Sequence, residues 1–439
     1  MQSWRTKAVQ FPVRHPTSSN SWARWVARLL WSGLWFWLGF RLAVPLFFKD
    51  NLFIATTINV FVVIAFASGF MILGLSRPSL FRSWVFFWAF GYWLLTVISS
   101  LVSPFVTHEN IFRVFGLLAV SGGIILALVV FSSISVPAYG LIWGGRAYIL
   151  GVLSATIVLV LTNPSIVAFI ETGSRFGDPD LLHPNVLGIT YGIAVVYLLF
   201  VRLYRMKALQ IGLAIIMIIA LLATFSKTAI VGTLVAMIVG FWLIRGVQRW
   251  LLLFLVFCST LAITGLIGDY LISQIRGYWD AGYAETLSGR TVLWSWVLDQ
   301  VNERPVLGYG YMVMKDVTAF DPRLSFFKVS IVHAHNAYLD VLFSSGYVGL
   351  AFFFMFWLYY LRLLFLGVRE LRESTLRAYY VATFVVLFVR SFTEAALNLG
   401  FDFWIALAAG LALEKSLRAH RGFCSESALY SHPLPATRR

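Results

Sequence analysis

The sequence has few charged residues, few acidic residues and almost no cysteine. Only 12% of its residues are charged and 60% are apolar, which excludes an ordinary soluble domain. The two cysteines, Cys258 in an apolar run and Cys424 near the C-terminus, lie in settings too different to predict a disulfide or a thiolate metal site. The 34 basic residues outnumber the 19 acidic ones, but they lie between apolar runs rather than in one patch. Basic residues between apolar runs are typical of the loops that set the orientation of a membrane protein. We therefore expect no nucleic-acid partner.

Aromatic residues and long apolar runs, by contrast, are abundant. The 17 Trp, 18 Tyr and 39 Phe fit a protein embedded in membrane lipid, with aromatic belts at the interfaces. Because a span needs about 20 mainly apolar residues, we predict an all-α polytopic membrane protein with about twelve transmembrane helices. The predicted spans are residues 29–48, 52–75, 84–102, 112–131, 147–162, 186–201, 210–223, 228–244, 250–268, 347–366, 376–393 and 401–417.

These spans divide the chain into five parts. A basic segment, 1–28, has no small-residue cleavage site and precedes an uncleaved first span. Nine spans fill 29–268, a long loop covers 269–346, three spans fill 347–417, and a tail covers 418–439. Most lysines and arginines lie on the side of the two termini, so the positive-inside rule places the termini in the cytoplasm and the long loop outside.

The long loop has a helical pattern of its own. Apolar residues recur at helical spacing in Thr291–Glu303, just before Pro305, which predicts an amphipathic helix at the interface. Residues 307–311 contain two glycines and predict a tight turn. Asn336 and Gly346 would cap a short helix between them.

Two histidines and an asparagine end this loop, in His333-Ala334-His335-Asn336. Histidine titrates near neutral pH, so His335 is a candidate general base at a lipid–water boundary. His333 would orient it or bind an acceptor, together with Asn336. The alternative is a polar loop packed against helix ends.

Three cations lie in segments that the topology places on the same outer face, namely Arg175, Lys227 and Arg290. Lys227 stands where the apolar run 210–244 must be divided into two spans, and helix starts favour anions. The three would form a cationic pocket for a pyrophosphate. The alternatives are pairing of Arg175 with nearby aspartates and contacts of Lys227 and Arg290 with lipid headgroups.

A helix start follows Arg175, at His183-Pro184-Asn185. His183 and Asn185 are candidates for binding or orienting the acceptor, and the alternative is a helix cap and turn. The outer segments lack a carboxylate cluster suited to Mg²⁺ or Mn²⁺, so we predict no metal. Arg390 and Glu394, near the outer end of a span, are expected to form a buried structural pair.

These segments resemble the O-antigen ligase/polymerase superfamily of bacterial envelope glycan transferases. The family pattern is His, then Asn, Ser or Gln, nine residues, Gly, two residues, and Gly, Thr or Tyr. His335-Asn336, Gly346 and Gly349 match it at every position. The segments around Arg175 and Ser288-Gly289-Arg290 also look like the family's, and the resemblance covers roughly residues 160–366.

The resemblance implies a GT-C-like helical fold in the bacterial inner membrane, with the active site facing the periplasm. It implies a glycosyltransferase that uses neither metal nor other cofactor and moves a glycan en bloc from undecaprenyl diphosphate to an acceptor hydroxyl. The cations would hold the diphosphate, and the histidine matching His335 would act as the base of an inverting transfer. One departure is Ser226-Lys227, where members commonly carry Ser-Arg, because lysine lacks the bidentate fork of arginine.

The superfamily divides by acceptor. Ligases use lipid A–core, polymerases use a second lipid-linked glycan, and a third group uses protein. We slightly favour a ligase, although Tyr338-Leu339-Asp340 also looks like exopolysaccharide polymerases. A transporter of lipid-linked oligosaccharide is the competing class, but it would need charges near the midplane of several spans, where this chain has little beyond Arg41.

Overall fold

The computed structural model describes residues 21–48, 52–74, 83–134, 137–162, 176–177, 183–244, 290–318, 324, 331–371, 374–395 and 398–430. Within these residues the protein contains fourteen α-helices and no β-strand, which confirms the all-α prediction. The helices are α1 (Ser21–Phe40), α2 (Val44–Phe47), α3 (Leu52–Gly74), α4 (Trp84–Val102), α5 (Ile111–Ile134), α6 (Pro137–Thr162), α7 (Pro184–Phe200), α8 (Lys207–Ala223), α9 (Lys227–Leu243), α10 (Arg290–Glu303), α11 (Met314–Thr318), α12 (Ala337–Glu370), α13 (Ser374–Ser391) and α14 (Phe401–Tyr430).

Many of these helices are apolar over most of their length. Five segments are long and apolar enough to cross a membrane, and α7, α8 and α9 are shorter apolar helices of the same character. The five are Trp25–Phe47, Trp84–Val102, Ile111–Ser132, Gly140–Thr162 and Ala337–Glu370. Each predicted span that lies in the described residues contains helix. The predicted span 250–268 lies outside the described residues. The count of twelve spans stays a prediction.

The helices pack in pairs along much of their length. Helix α1 packs against α6, α3 against α5, α4 against α12, and α9 against α13. The α1–α6 contact depends on glycine, because a Cβ atom on Gly151 would overlap the carbonyl oxygen of Phe36. Small residues allow such close approach between helices surrounded by lipid, where burial of apolar side chains gives little driving force.

Helix α12 contains a sharp break at Gly346. Gly346 has φ 63° and ψ −168°, a conformation that L-residues rarely adopt, and a Cβ atom there would overlap the carbonyl oxygen of Val306. The helix nevertheless continues on both sides, so the predicted short helix after Asn336 runs directly into the following span. The predicted end of the short helix at Gly346 therefore coincides with the break, and the helix of the next span follows it without a loop.

The segment between α10 and α11 supplies the hydrogen bonds that this break removes. The amide N–H of Tyr347 donates to Pro305 (2.8 Å), and the N–H groups of Tyr309 and Gly310 donate to the carbonyls of Phe343 (2.8 Å) and Ser344 (3.0 Å). Buried backbone groups that a kink leaves free must find partners. The predicted tight turn at 307–311 is therefore an irregular segment inserted against the broken helix.

Two further predictions concern α10 and the tail. Helix α10 lies where the amphipathic helix was predicted, and it buries Leu293, Trp296, Val297 and Val301. This face packs on α12, with Trp296 against Phe343 (ring centroids 5.8 Å apart). Helix α14 continues to Tyr430, past the predicted end of the last span at 417, so the first part of the predicted tail is helical.

Candidate active site

Several helix ends meet at one end of the molecule. Helices α7, α9, α10 and α12 begin here and α13 ends here. The Arg290 guanidinium donates to the carbonyl of Thr393 (Nη1–O 3.0 Å), and a Cβ atom on Gly188 of α7 would press against Ser226, just before α9. The N-termini of helices carry partial positive charge. This end of the bundle therefore favours anionic groups.

His335 lies immediately before α12 in a strained backbone conformation. Its φ is 50°, in the left-handed region that non-glycine residues seldom occupy. Both backbone groups of the preceding Ala334 are hydrogen-bonded, its N–H to Asp340 Oδ1 (3.0 Å) and its carbonyl to the indole N–H of Trp294 (2.9 Å). Such strain persists only where the surroundings hold it, and it is concentrated at functional sites.

Asp340 connects this turn to a buried polar network. Its second oxygen accepts a hydrogen bond from Asn398 Nδ2 (2.6 Å), which also donates to Ser344 Oγ (3.0 Å). The Tyr92 hydroxyl of α4 donates to Asn398 Oδ1. The turn that bears His335 is thereby tied to α4, α12 and the segment that precedes α14, and sequence reasoning did not assign Asp340 or Asn398 to the site.

Glu394, just after α13, faces the His335 imidazole. Its Oε2 lies 3.7 Å from His335 Nδ1, longer than a hydrogen bond, and its Oε1 accepts a hydrogen bond from Asn185 Nδ2 (2.7 Å). The Glu394 side chain is 9% exposed, whereas that of His335 is 37% exposed. A nearly buried carboxylate thus stands beside an imidazole that solvent and substrate can reach.

The charge states of these groups follow from their surroundings. Burial and the neighbouring His335 lower the pKa of His333 to about 4, and the two imidazole rings are 4.4 Å apart. Burial alone would raise the pKa of Glu394, but the adjacent His335 and Arg390 lower it to about 2. At neutral pH His333 is therefore neutral and Glu394 is ionised.

The predicted pairing of Arg390 with Glu394 is wrong in its partner. Arg390 Nε lies 2.8 Å from Asp402 Oδ2 of α14, and both side chains are almost completely buried. Arg390 Nη1 also donates to the backbone carbonyl of Asn185 (2.7 Å). Arg390, inside the last turn of α13, reaches the interior between α7 and α14, while Glu394, beyond the end of that helix, reaches His335.

Helix capping accounts for two of the candidate residues. His183 Nδ1 accepts the N–H of Asn185 (3.2 Å) at the start of α7. Asn336 Oδ1 accepts the N–H groups of Tyr338 (3.0 Å) and Leu339 at the start of α12. The Asn185 side chain, by contrast, extends to the Glu394 carboxylate. His183 also lies near enough to influence His333 electrostatically, and Asn336 Nδ2 donates to the carbonyl of Phe392 (3.4 Å).

Two of the three predicted diphosphate ligands lie in the described residues. Lys227 is the exposed first residue of α9, and Arg290 is the half-buried first residue of α10. Arg175 lies outside the described residues. The N–H of its neighbour Phe176 donates to the carbonyl of Ala223 (2.9 Å), so the chain just after Arg175 runs beside the break between α8 and α9. That break lies at 224–226, within the predicted break at 224–227.

Three side chains at this site could serve as ligands of one metal ion. His333, His335 and Glu394 each have a candidate ligand atom within 4.8 Å of the others. Sequence reasoning considered carboxylate clusters for Mg²⁺ and did not combine Glu394 with the histidines. The predicted topology placed these three residues on one face of the membrane, but it could not show that their side chains are close together.

Comparison with known proteins identifies the segment that carries much of this site. A family model described as O-antigen ligase matches residues 212–354, from α8 into α12. The comparison with curated proteins gives no match. The matched segment includes Lys227, Arg290, His333 and His335, and the apolar helices make the chain a multi-pass membrane protein. This match, which covers residues 212–354 of the 439, supports the predicted resemblance to the O-antigen ligase/polymerase superfamily.

Proposed function

We propose that this protein is a glycosyltransferase of the bacterial inner membrane that acts on the periplasmic side. It would take a glycan en bloc from undecaprenyl diphosphate and transfer it to an acceptor hydroxyl, with inversion at the anomeric carbon and without a metal. The observation that carries this proposal is the exposed His335 imidazole beside the ionised Glu394, in a segment that matches the O-antigen ligase family.

The proposed step needs a base and a stabilised leaving group. The acceptor oxygen forms a bond to the anomeric carbon while the bond from that carbon to the diphosphate oxygen breaks. His335 takes the acceptor proton, and undecaprenyl diphosphate leaves with the electron pair of the broken bond. Because Nδ1 of His335 faces Glu394, Nε2 is the nitrogen that accepts the proton. The carboxylate orients the ring and stabilises the imidazolium that forms.

The leaving diphosphate would lie against the helix starts and their cations. Lys227 and Arg290 each begin a helix at this end of the bundle, so positive side chains and helix N-termini act together on the anion. Arg175 completes the proposed set. Fixed positive charges at a leaving group lower the barrier by stabilising the charge that develops in the transition state.

The acceptor is proposed to be lipid A–core, as in ligases. A second lipid-linked glycan, as in O-antigen or exopolysaccharide polymerases, is the alternative. It is favoured by Tyr338-Leu339-Asp340, and the structure adds that Asp340 holds the turn bearing His335. The choice between these acceptors can be tested by gene deletion.

Purified protein tests the reaction directly. With a lipid-linked glycan and its acceptor, we expect product in the presence of EDTA and at least about a hundredfold loss of turnover in His335→Ala. His108→Ala is the matched control, because His108 is exposed in the connection between α4 and α5. Turnover retained in His335→Ala would show that His335 is not the base, and turnover abolished by EDTA would contradict the metal-independent mechanism.

A deletion strain distinguishes the acceptors. Unmodified lipid A–core with accumulated lipid-linked polymer would indicate a ligase. Core carrying one repeat unit would indicate an O-antigen polymerase. Loss of a secreted polysaccharide with normal lipopolysaccharide would indicate an exopolysaccharide polymerase.

A further inference from the structure

We propose that His333, His335 and Glu394 form a binding site for a transition-metal ion of the Zn²⁺ class, and that occupancy of this site inhibits glycan transfer. The inhibitory part rests on the proposed function, whereas the binding site does not. Two imidazoles and one carboxylate are a ligand set that suits Zn²⁺ and leaves a further coordination position for water.

The distances are close to those that one ion requires. Zinc lies about 2.0–2.2 Å from nitrogen and oxygen ligands, so two ligands of a tetrahedral ion are about 3.3–3.6 Å apart. His335 Nδ1 and Glu394 Oε2, 3.7 Å apart, are close to this separation, although they are too far apart for a hydrogen bond. The three candidate ligand atoms lie within 4.8 Å of one another. A small rotation of the imidazole of His333 or His335 would bring all three within reach of one ion.

Neighbouring residues hold these ligands in place. Asn185 donates to Glu394 Oε1, so Oε2 is the oxygen directed at His335. His335 Nδ1 is a buried nitrogen without a hydrogen-bond partner among the described residues, although the side chain as a whole is 37% exposed. A buried nitrogen without such a partner, close to an oriented carboxylate, has the arrangement that a metal ion would satisfy. Outer-shell hydrogen bonds of this kind orient ligands in metal proteins.

The surroundings also restrict which ions bind. The site has one carboxylate, and Arg290 and Arg390 lie near enough to influence His333 and Glu394 electrostatically. Ca²⁺ and Mg²⁺ need several oxygen ligands and gain little from imidazole, so these cations would be excluded. Zn²⁺, Co²⁺, Ni²⁺ and Cu²⁺ bind imidazole strongly enough to occupy such a site.

Metal binding and catalysis would compete for the same atoms. An ion on His335 removes a nitrogen lone pair of the proposed base and neutralises the carboxylate that supports it. The acceptor hydroxyl could then no longer lose its proton to this imidazole. Zinc would therefore inhibit transfer in a way that a chelator reverses.

Cobalt provides a readout that does not depend on activity. The full-length protein in detergent, freed of metal by chelator, is titrated with Co²⁺ and its visible d–d absorption is recorded. We expect one Co²⁺ per chain, displaced by Zn²⁺ and unaffected by excess Mg²⁺. Glu394→Gln and His333→Ala should each weaken binding by at least about tenfold, and His108→Ala should not. Equal Co²⁺ binding in wild type and both site variants would overturn the proposal.

The isosteric Glu394→Gln variant is expected to fold normally, because it retains an oxygen that can accept the Asn185 hydrogen bond. In a second arm, Zn²⁺ is added to the transfer reaction in chelator-free buffer, and EDTA is then added to the same sample. Inhibition by Zn²⁺ that EDTA reverses supports the proposal. Transfer that continues at Zn²⁺ concentrations saturating the site would overturn its inhibitory part.

The two proposals fail in different ways. Specific Co²⁺ binding without glycan transfer under any condition would refute the proposed function and leave the metal site supported. Glycan transfer in EDTA without specific Co²⁺ binding would refute the metal site and leave the proposed function supported.

Discussion

Asn185 at the start of α7 donates a 2.7 Å hydrogen bond to Glu394 beyond the end of α13, and so fixes the carboxylate that faces His335. The same residue accepts, through its backbone carbonyl, a hydrogen bond from Arg390. The contact therefore joins the candidate active site to the buried ion pair of Arg390 and Asp402. Each of these groups has a separate experimental consequence.

Replacement of Glu394 by glutamine tests the carboxylate as the partner of the base. The variant keeps the shape of the side chain but loses the negative charge that stabilises the His335 imidazolium. We expect kcat to fall by about 10² to 10⁴ with little change in KM. The measurement is steady-state transfer, with the exposed Glu109→Gln as the control. A wild-type kcat in Glu394→Gln would show that this charge has no role in the reaction.

The pH dependence of stability should report on His333. Its pKa is lowered from 6.5 to about 4 in the folded protein. Between these pH values His333 is protonated in the unfolded chain but not in the folded protein. The contribution of His333 to the free energy of unfolding is therefore fully present above pH 6.5. It falls as the pH decreases toward 4, by at most about 1.4 kcal/mol per pH unit. The measurement is the free energy of unfolding in mixed micelles between pH 7 and pH 4.

His333→Gln removes the titrating group and should flatten this slope. His108→Gln is the control, since an exposed histidine should leave the slope unchanged. Identical slopes in wild type and His333→Gln would mean that His333 is protonated equally in both states.

Gly346→Ala tests the break in α12. The added methyl group would overlap the carbonyl oxygen of Val306, in a backbone conformation that is already unfavourable for alanine. We expect a loss of about 1–3 kcal/mol or more in the free energy of unfolding. Gly212→Ala in α8 is the matched control, because its Cβ atom would meet open space and alanine favours helix by about 1 kcal/mol. Equal stability of the two variants would contradict the need for glycine at the kink.

The buried pair of Arg390 and Asp402 should show strong coupling. Removing one partner leaves an uncompensated charge in the interior, so Arg390→Met should cost about 3–5 kcal/mol of unfolding free energy. The double variant Arg390→Met/Asp402→Asn should lose less than the sum of the single losses. The partly exposed pair of Arg113 and Asp316, 2.8 Å apart, is the control and should couple by about 0.2–1 kcal/mol.

Activity separates two roles of Arg390 in the same variants. The double variant still lacks the hydrogen bond from Arg390 to the Asn185 carbonyl, so kcat should stay low even where stability returns. Full activity in the double variant would show that Arg390 serves stability alone.

Sequence alone identified the features that depend on neighbouring residues. Apolar runs defined the helices because a helix satisfies its own backbone hydrogen bonds, and the polar residues at 224–227 located the break between α8 and α9. Asn336 was recognisable as a cap because its hydrogen bonds are to residues two and three positions further on. His335, Gly346 and Gly349 pointed to the superfamily before any contact was known, and the family model that matches residues 212–354 supports it.

The tertiary structure alone decided which distant side chains meet. Glu394 was expected to pair with Arg390, but Arg390 near the end of α13 pairs with Asp402, and Glu394 beyond that end faces His335. The insertion of residues 305–310 against Gly346 was likewise not readable from the turn-like sequence. The physical reason is that the composition and spacing of neighbouring residues define helices, caps and breaks. The surroundings of a base such as His335 depend instead on how whole helices pack and rotate against one another.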